Sequence, residues 1–290
     1  MRGSISAVIR YLIISGFILG FASAEPVTVR AIAANLTSEN KQSYSPDNGN
    51  HSNPEGAGAR ILKGLKPDIV MIQEFNTTIP KRQWVNETFG EEFCFISEDG
   101  MQIPNGIISR FPMLESGVWD DPVLNNREFV WAHLRLPDHQ DLWVISVHLH
   151  SKGEASRATQ AKALVGNVIK NIPKDAMVII GGDLNTTNTH EKGLQELSAI
   201  VNIPENPPTD QHGVNMTNAN RNHPYDWVLT SAPLTKVEIP TIVAGQKFPH
   251  GLVFDSRTFT PLNDVPPVLA GDSGVPNMQH MAVVRDFLIP

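Results

Sequence analysis

The pattern that most restricts this chain is a succession of short apolar runs rich in β-branched residues, several of them ending on a polar side chain that packing does not need. Runs of roughly four to eight such residues read as strands. We therefore expect strands at 26–36, 68–74, 92–97, 106–109, 129–136, 142–149, 176–180, 227–230, 237–243 and 281–287. Asp68-Ile-Val-Met-Ile-Gln-Glu74 places consecutive apolar residues between polar ends, which suits a strand covered on both faces. Helical periodicity is rarer. Residues 55–65 set Ile61, Leu62 and Leu65 at helical spacing, and 154–172 keep a stripe of Ala158, Ala161, Leu164, Val165, Val168 and Ile169 until Pro173 ends it. No repeat or low-complexity block interrupts the chain, so the expectation is one mixed α and β domain over 25–290, two packed sheets flanked by helices. The stretch from Pro204 to Pro224, rich in Asn, Pro and Gly, is expected as a long loop, and such loops are usually functional or mobile.

Composition removes other classes. At 290 residues, 41% hydrophobic and 18% charged, the chain is ordinary globular material rather than a disordered tail, a collagen-like repeat or a multi-span membrane protein. That length buries about three quarters of the unfolded surface, so no covalent staple is needed. None is available within the chain, because Cys94 is the only cysteine, and its apolar neighbours Phe93, Phe95 and Ile96 suggest a buried structural thiol. The net charge of −7 argues weakly against a broad nucleic-acid footprint but leaves room for a local basic cleft. At the N-terminus, Arg2 and Arg10, an apolar stretch from Tyr11 to Ala22, and Ala22-Ser23-Ala24 before Glu25-Pro26 form the pattern of a secretory signal over residues 1–24. The stretch is short for a membrane span. The alternative is an uncleaved anchor. Arg2 and Arg10 are the only charges removed with the signal, so the mature protein would carry −9, be secreted or periplasmic, and insert stably in no membrane.

The polar strand ends are Asn35, Glu74, His148, Asp183 with Asn185, Asp226 and His280. Each alone has a plain structural reading as a turn cap, an exposed strand end or a satisfied histidine. The segment Val178-Ile-Ile-Gly-Gly-Asp-Leu-Asn185 is harder to explain that way. A buried strand runs through two glycines, which allow close backbone approach, and then presents Asp183 and Asn185 at alternate positions that share one face.

At this point the chain resembles the endonuclease/exonuclease/phosphatase superfamily, which includes deoxyribonuclease I, abasic-site endonucleases, inositol-polyphosphate phosphatases and neutral sphingomyelinases. The resemblance is carried in order by Ala34-Asn35-Leu36, Pro67-Asp-Ile-Val-Met-Ile-Gln-Glu74, Asn105-Gly-Ile-Ile-Ser-Arg-Phe-Pro112, Val147-His148-Leu149, Gly182-Asp183-Leu184-Asn185, Tyr225-Asp226-Trp-Val-Leu229 and His280-Met-Ala-Val-Val284, and it spans nearly the whole mature chain. It implies a four-layered α/β sandwich of the deoxyribonuclease I kind, two mixed sheets packed face to face with helices outside. It also implies phosphoester hydrolysis, which needs a water brought in line with the leaving oxygen while phosphoryl charge is neutralised. Mg²⁺ suits such sites, with Mn²⁺ or Ca²⁺ as alternatives. By resemblance Glu74 is the principal metal ligand with Asn35 beside it. Asp183 orients or deprotonates the water, Asn185 holds a phosphate oxygen, His280 pairs with Asp226, and His148 donates to the phosphoryl oxygen. Arg127-Glu128 matches an Arg-Glu pair in deoxyribonuclease I, where the arginine faces substrate phosphate. Its other reading is a surface ion pair. Lys152 and Arg157 would add positive charge at the cleft mouth, unless Arg157 faces solvent.

One position departs from the pattern. The family usually ends in Ser-Asp-His, whereas Gln279 precedes His280 here and the nearest upstream aspartate is Asp272. Either a loop folds Asp272 back to the metal or the site binds metal with one ligand fewer. The expected activity is an exported Mg²⁺-dependent phosphodiesterase, most readily a monomeric nuclease acting on nucleic acid. The alternatives are a phospholipid or sphingomyelin phosphodiesterase or a small-molecule phosphatase on the same core, and a phospho-ligand binder without turnover. A lipid enzyme would present an apolar hairpin, for which Phe248-Pro-His-Gly-Leu-Val-Phe254 is the candidate.

Overall fold

A computed structural model describes residues 25–37, 44, 56–276 and 278–290, and the expected signal at 1–24 lies outside the described residues. The elements in chain order are β1 (Val27–Ala34), α1 (Ala57–Leu65), β2 (Ile69–Ile72), α2 (Lys81–Phe89), β3 (Cys94–Ser97), β4 (Gly106–Ser109), β5 (Met113–Trp119), β6 (Phe129–Arg135), β7 (Asp141–His148), α3 (Glu154–Asn171), β8 (Met177–Asp183), α4 (Lys192–Leu197), β9 (Asp226–Thr230), α5 (Ala232–Thr235), β10 (Glu238–Ile239), β11 (Thr241–Val243), β12 (Gln246–Phe248), β13 (Leu252–Phe254) and β14 (Ala282–Ile289). One sheet runs β10-β14-β1-β2-β4-β3, with β13 also paired to β14, and the second runs β5-β6-β7-β8-β9. Each sheet is mixed: β1 and β2 are parallel in the first, β7 and β8 in the second, and the other pairs are antiparallel. The chain is an α/β sandwich, as expected.

The sheets approach closely because two glycines of β8 leave room for longer side chains of the facing sheet. A Cβ on Gly181 of β8 would stand 2.5 Å from the Met71 sulfur of β2, and one on Gly182 would stand 2.5 Å from the Gln73 side-chain nitrogen. Gln73 instead crosses the gap and donates to the Ser146 hydroxyl at 2.9 Å. On the outer face of the second sheet, α3 buries Ala161, Leu164 and Val168 against Ile145, Val147, Val178 and Ile180. Each large aliphatic side chain so buried contributes roughly 1.5–3 kcal/mol relative to exposure. α3 ends one residue before the expected Ile172, because a residue preceding proline is driven out of the helical region, and Ile172 is extended (φ −115°, ψ 135°). α1 ends on Lys66 in the left-handed conformation (φ 52°), its N–H bonded to the Leu62 carbonyl.

Several expectations are corrected. Ile169 does not join the buried stripe of α3; it is 66% exposed, and Arg157 and Gln160 are buried instead. The predicted strand 237–243 is divided at Pro240 into β10 and β11, since proline cannot donate to a ladder. The segment 248–254 is not an exposed apolar hairpin: Phe248, Leu252, Val253 and Phe254 are buried, and β13 lies against β14. Cys94 is half-buried on edge strand β3, its thiol directed at the Ser109 and Phe111 carbonyls. The stretch 204–224 contains no helix or named strand and touches the framework through two isolated bridges, Thr209 to Leu252 and Asn218 to His280.

Candidate active site

Register builds the site. β7 and β8 place His148 opposite Asp183, and β8 and β9 place Asp183 opposite Asp226. Residues directly opposite in a sheet project to the same face, so these three side chains form one row at the sheet end. The first sheet faces that row with its own strand ends. Parallel pairing sets Ala34 opposite Ile72, so that Asn35 and Glu74 leave β1 and β2 side by side, while His280 precedes β14. Glu74 and Asn185 both have positive φ, 50° and 51°. Side chains other than glycine occupy that region at a cost of roughly 1–2 kcal/mol, and such strain in a folded chain clusters at functional positions.

Asp183 is the hub. Its Oδ1 accepts the Asn185 N–H at 2.8 Å. Its Oδ2 accepts the side-chain amides of Asn35 and Asn185, each at 3.1 Å, and lies 3.2 Å from His148 Nε2 and 3.7 Å from His280 Nε2. His280 turns its other nitrogen, Nδ1, to Asp226 at 2.8 Å, and the Thr217 hydroxyl donates to the same Asp226 oxygen at 2.7 Å. Burial opposes charge on His280, but the carboxylates of Asp226 and Asp183 outweigh it and hold the imidazole pKa up to about 9. Burial likewise works against ionised Asp183, yet His280 and His148 hold its carboxyl well below the usual range. Burial pushes Asp226 up to about 6 against the pull of His280. The cluster therefore holds His280 as an imidazolium between two carboxyl groups, with Asp183 ionised.

The donor set fits a hard divalent cation. Asn35 is 1% exposed, its amide nitrogen is spent on Asp183 and on Glu74 at 3.5 Å, and its Oδ1 is buried without a protein partner. A carboxylate and an amide oxygen suit Mg²⁺. Asp183, Asp226 and His280 also bring one ligand atom each within 4.8 Å of one another. His280 Nδ1 is already bonded to Asp226, which leaves Nε2, 3.7 Å from Asp183, as the ring nitrogen it can offer.

The structure brings together Asn35, Glu74, His148, Asp183, Asn185, Asp226 and His280. Arg127 joins them from the start of β6: it is buried, donating from Nε to the His148 carbonyl at 2.6 Å and from Nη2 to the Leu149 carbonyl at 2.9 Å, so the Arg127-Glu128 pair is no surface ion pair. Asp272 does not join them. Both its oxygens are taken by Arg60, at 3.0 and 2.5 Å, and Oδ2 also accepts the Leu269 N–H at 2.8 Å. Gln279, in the place of the usual aspartate, is exposed. Arg157 neither faces solvent nor lines the cleft mouth; it is buried in a two-pronged pair with Glu191 at 2.7 and 2.6 Å. Sequence reading missed Thr217, hidden in the Asn-rich loop, and the Gln73 bridge, whose only signal is its place beside Glu74. It also missed the stacking of His223 on Tyr225 (5.5 Å, 7°) next to His280.

Comparison with known proteins agrees with the fold. Among curated proteins no sequence match reaches significance. An endonuclease/exonuclease/phosphatase from Beutenbergia cavernae has a similar structure, with TM-score 0.60 and 15% identity over 90% of this chain and 72% of that one. TDP2 from D. rerio, solved with a single-strand DNA product, gives 0.56 and 17% over 90% and 98%, and a beta toxin from Staphylococcus aureus gives 0.50 and 16% over 89% and 99%. At these identities the likeness is one of fold. The profile of the Endonuclease/Exonuclease/phosphatase family matches residues 48–246, more than half of the sequence, and the chain belongs to that family.

Proposed function

We propose that this member of a phosphoester hydrolase family is an exported, divalent-metal-dependent phosphodiesterase acting as a single catalytic domain, 25–290, after loss of a signal at 1–24, and working as a monomer on nucleic acid. The observation that carries the reading is His280, wedged between Asp226 at 2.8 Å and Asp183 at 3.7 Å at the end of a row that also holds His148. Glu74 and Asn35 would hold Mg²⁺, or Mn²⁺ or Ca²⁺ in its place. The chemistry supplied by the bound ion is neutralisation of phosphoryl charge. Asp183, kept ionised by its two histidines, aligns a water for in-line attack and accepts its proton as the new P–O bond forms. His280, protonated and oriented through Nδ1 by Asp226, donates its Nε2 proton to the leaving oxygen as the old P–O bond breaks, and the proton taken up by Asp183, 3.7 Å away, restores it. His148 holds an oxygen that gains charge and Arg127 faces the same charge from the side, while the Asn185 amide, whose two N–H groups go to Asp183 and the Leu149 carbonyl at 3.1 Å each, keeps Asp183 in place. The stacked His223 and Tyr225 offer a π-face for a base beside His280, which favours nucleic acid.

A second reading, a phosphodiesterase or phosphatase for small phosphate esters, is favoured by the internal commitments of nearby arginines: Arg157 to Glu191, Arg221 to Asp210 and Asp255, and Arg257 to Asp255. These leave less cation for a long polyanion. Burial of 248–254 removes the one apolar segment offered for a lipid surface. The purified protein, tested with supercoiled plasmid, phosphatidylcholine and sphingomyelin vesicles, and bis(4-nitrophenyl) phosphate, each with Mg²⁺ or EDTA, decides between them. Metal-dependent plasmid nicking that vanishes in His280→Ala supports the nuclease. Cleavage of the aryl ester or lipid with intact plasmid moves the substrate, and inactivity toward all of them in Mg²⁺, Mn²⁺ and Ca²⁺ overturns the catalytic reading.

A further inference from the structure

Glu98 lies where β3 ends, in the connection that leads to β4, and it is 3% exposed. It was not singled out by its sequence context. A carboxylate so enclosed usually faces a cation, yet its two oxygens accept main-chain N–H groups from two different loops. Oε2 accepts the Asn105 N–H at 2.5 Å, and Oε1 accepts the Glu128 N–H. The Asn105 side chain completes the link by donating to the Glu128 carbonyl at 2.6 Å. On one side this brace reaches the metal-ligand segment, since the Pro104 carbonyl accepts the Phe75 N–H at 2.8 Å, next to Glu74. On the other side it fixes Glu128, the neighbour of Arg127, whose guanidinium bonds go to the carbonyls of His148 and Leu149 and to the Asn126 amide at 3.4 Å. None of them goes to a carboxylate. Arg127 is thus a buried cation aimed by neutral hydrogen-bond partners, with the carboxylates of Asp183, Glu74, Asp121 and Glu98 close enough to act on it electrostatically but none of them bonded to it, so its remaining N–H groups are left to an anion.

We infer that Glu98 is a positioning residue for this site, holding Arg127 in place through the main chain of Asn105 and Glu128. The fork needs two acceptor oxygens, one per loop, and a glutamine would turn an N–H₂ donor against an N–H donor. A residue needed only to close the β3–β4 connection would have to satisfy Asn105 alone, because the Glu98 N–H already bonds the Asn105 carbonyl at 3.2 Å. The inference rests on the role proposed above for Arg127.

The experiment is a double-mutant cycle on the full protein, with bis(4-nitrophenyl) phosphate and Mg²⁺, read beside hydrogen exchange of the Arg127 Nε–H by NMR. Glu98→Gln, nearly isosteric, is expected to lower kcat/KM at least about tenfold, and by less than about twofold once Arg127→Ala is present. It is also expected to speed Arg127 Nε–H exchange at least about tenfold, while amides of β8 keep their protection. Independent, multiplicative losses together with unchanged Nε–H exchange overturn the inference. Should Glu98 variants not fold, Asn105→Ala cuts the second strut and must show the same coupling and the same faster exchange. A wild-type protein inactive on every ester would sink the phosphodiesterase reading instead, and the exchange measurement would still decide whether Glu98 positions Arg127.

Discussion

Two kinds of buried polar cluster stand side by side in this molecule. In the pairs Arg60–Asp272 and Arg157–Glu191 each carboxylate takes a guanidinium with both oxygens and a backbone N–H besides, from Leu269 and Thr187 respectively. The cluster around Asp183 is as deeply buried but is not closed: Asn35 Oδ1, Gln73 Oε1, His148 Nδ1 and Asp226 Oδ1 have no protein partner. A buried polar atom left without a partner costs roughly 1–3 kcal/mol. Closed pairs hold the chain together, whereas the open cluster keeps atoms ready for something outside the chain. Single buried atoms without a partner occur elsewhere, as at Trp131 Nε1 and Thr241 Oγ1, so it is their gathering among ionisable side chains around Asp183 that distinguishes this cluster from the closed pairs.

Substitutions can break that separation. Asp183→Asn is expected to lower turnover by about 10³-fold or more while leaving Tm within a few degrees, as checked by kinetics and thermal unfolding on one preparation. Asp272→Ala should do the reverse. It leaves Arg60 buried and unpaired, so urea unfolding should show a loss of about 3–5 kcal/mol, with metal affinity unchanged in the folded fraction. A weakened metal affinity there would mean that Asp272 reaches the ion after all. Asn35→Ala should weaken Mn²⁺ binding, followed by electron paramagnetic resonance, by at least about tenfold with little change in stability. An unchanged affinity would remove Asn35 from the ligand set.

The smallest effect concerns pH. Burial pushes Glu98 up to about 7, although the N–H groups of Asn105 and Glu128 and the charge of Arg127 favour its ionised form; Glu128 adds to the rise, and Lys81 lies within electrostatic reach. The folded state then holds this proton more tightly than the unfolded state, whose value is near 4.5. The stabilisation is complete below 4.5 and is lost as pH rises through about 7. Between those values the Tm of the wild type should fall relative to that of Glu98→Gln, on the order of 5 °C. Parallel curves would show that Glu98 titrates alike folded and unfolded.

What could be read from the residues was what short-range pattern encodes. β4 was legible to the residue, and α3 was legible because its apolar stripe runs into Pro173. The polar strand ends were legible because a buried strand has no packing reason to finish on Asp or His. The polar edge strand β5 and the polar helix α2 were not. β5 carries Glu115, Ser116 and Gly117 in its middle and lies at an edge, and α2 is polar apart from Trp84, Val85 and Phe89, so neither shows a clear period. Long-range pairing was invisible as well. Nothing near Asp272 announces that Arg60 will claim it, and nothing near Arg157 announces Glu191.

The pairing of β1 with β14, from Val27 opposite Ile289 to Ala33 opposite Val283, has a consequence in time. Asn35 leaves one of these strands and His280 enters the other, so the site is whole only when they have met. Contacts so distant in sequence form late. A nascent polypeptide still lacking residues 282–289 on the outside of the ribosome carries Glu74, His148, Asp183 and Asp226 but has no His280 held against them. A chain truncated before β14 would be in the same position. Topology alone would thus leave the proposed site incomplete until synthesis has ended.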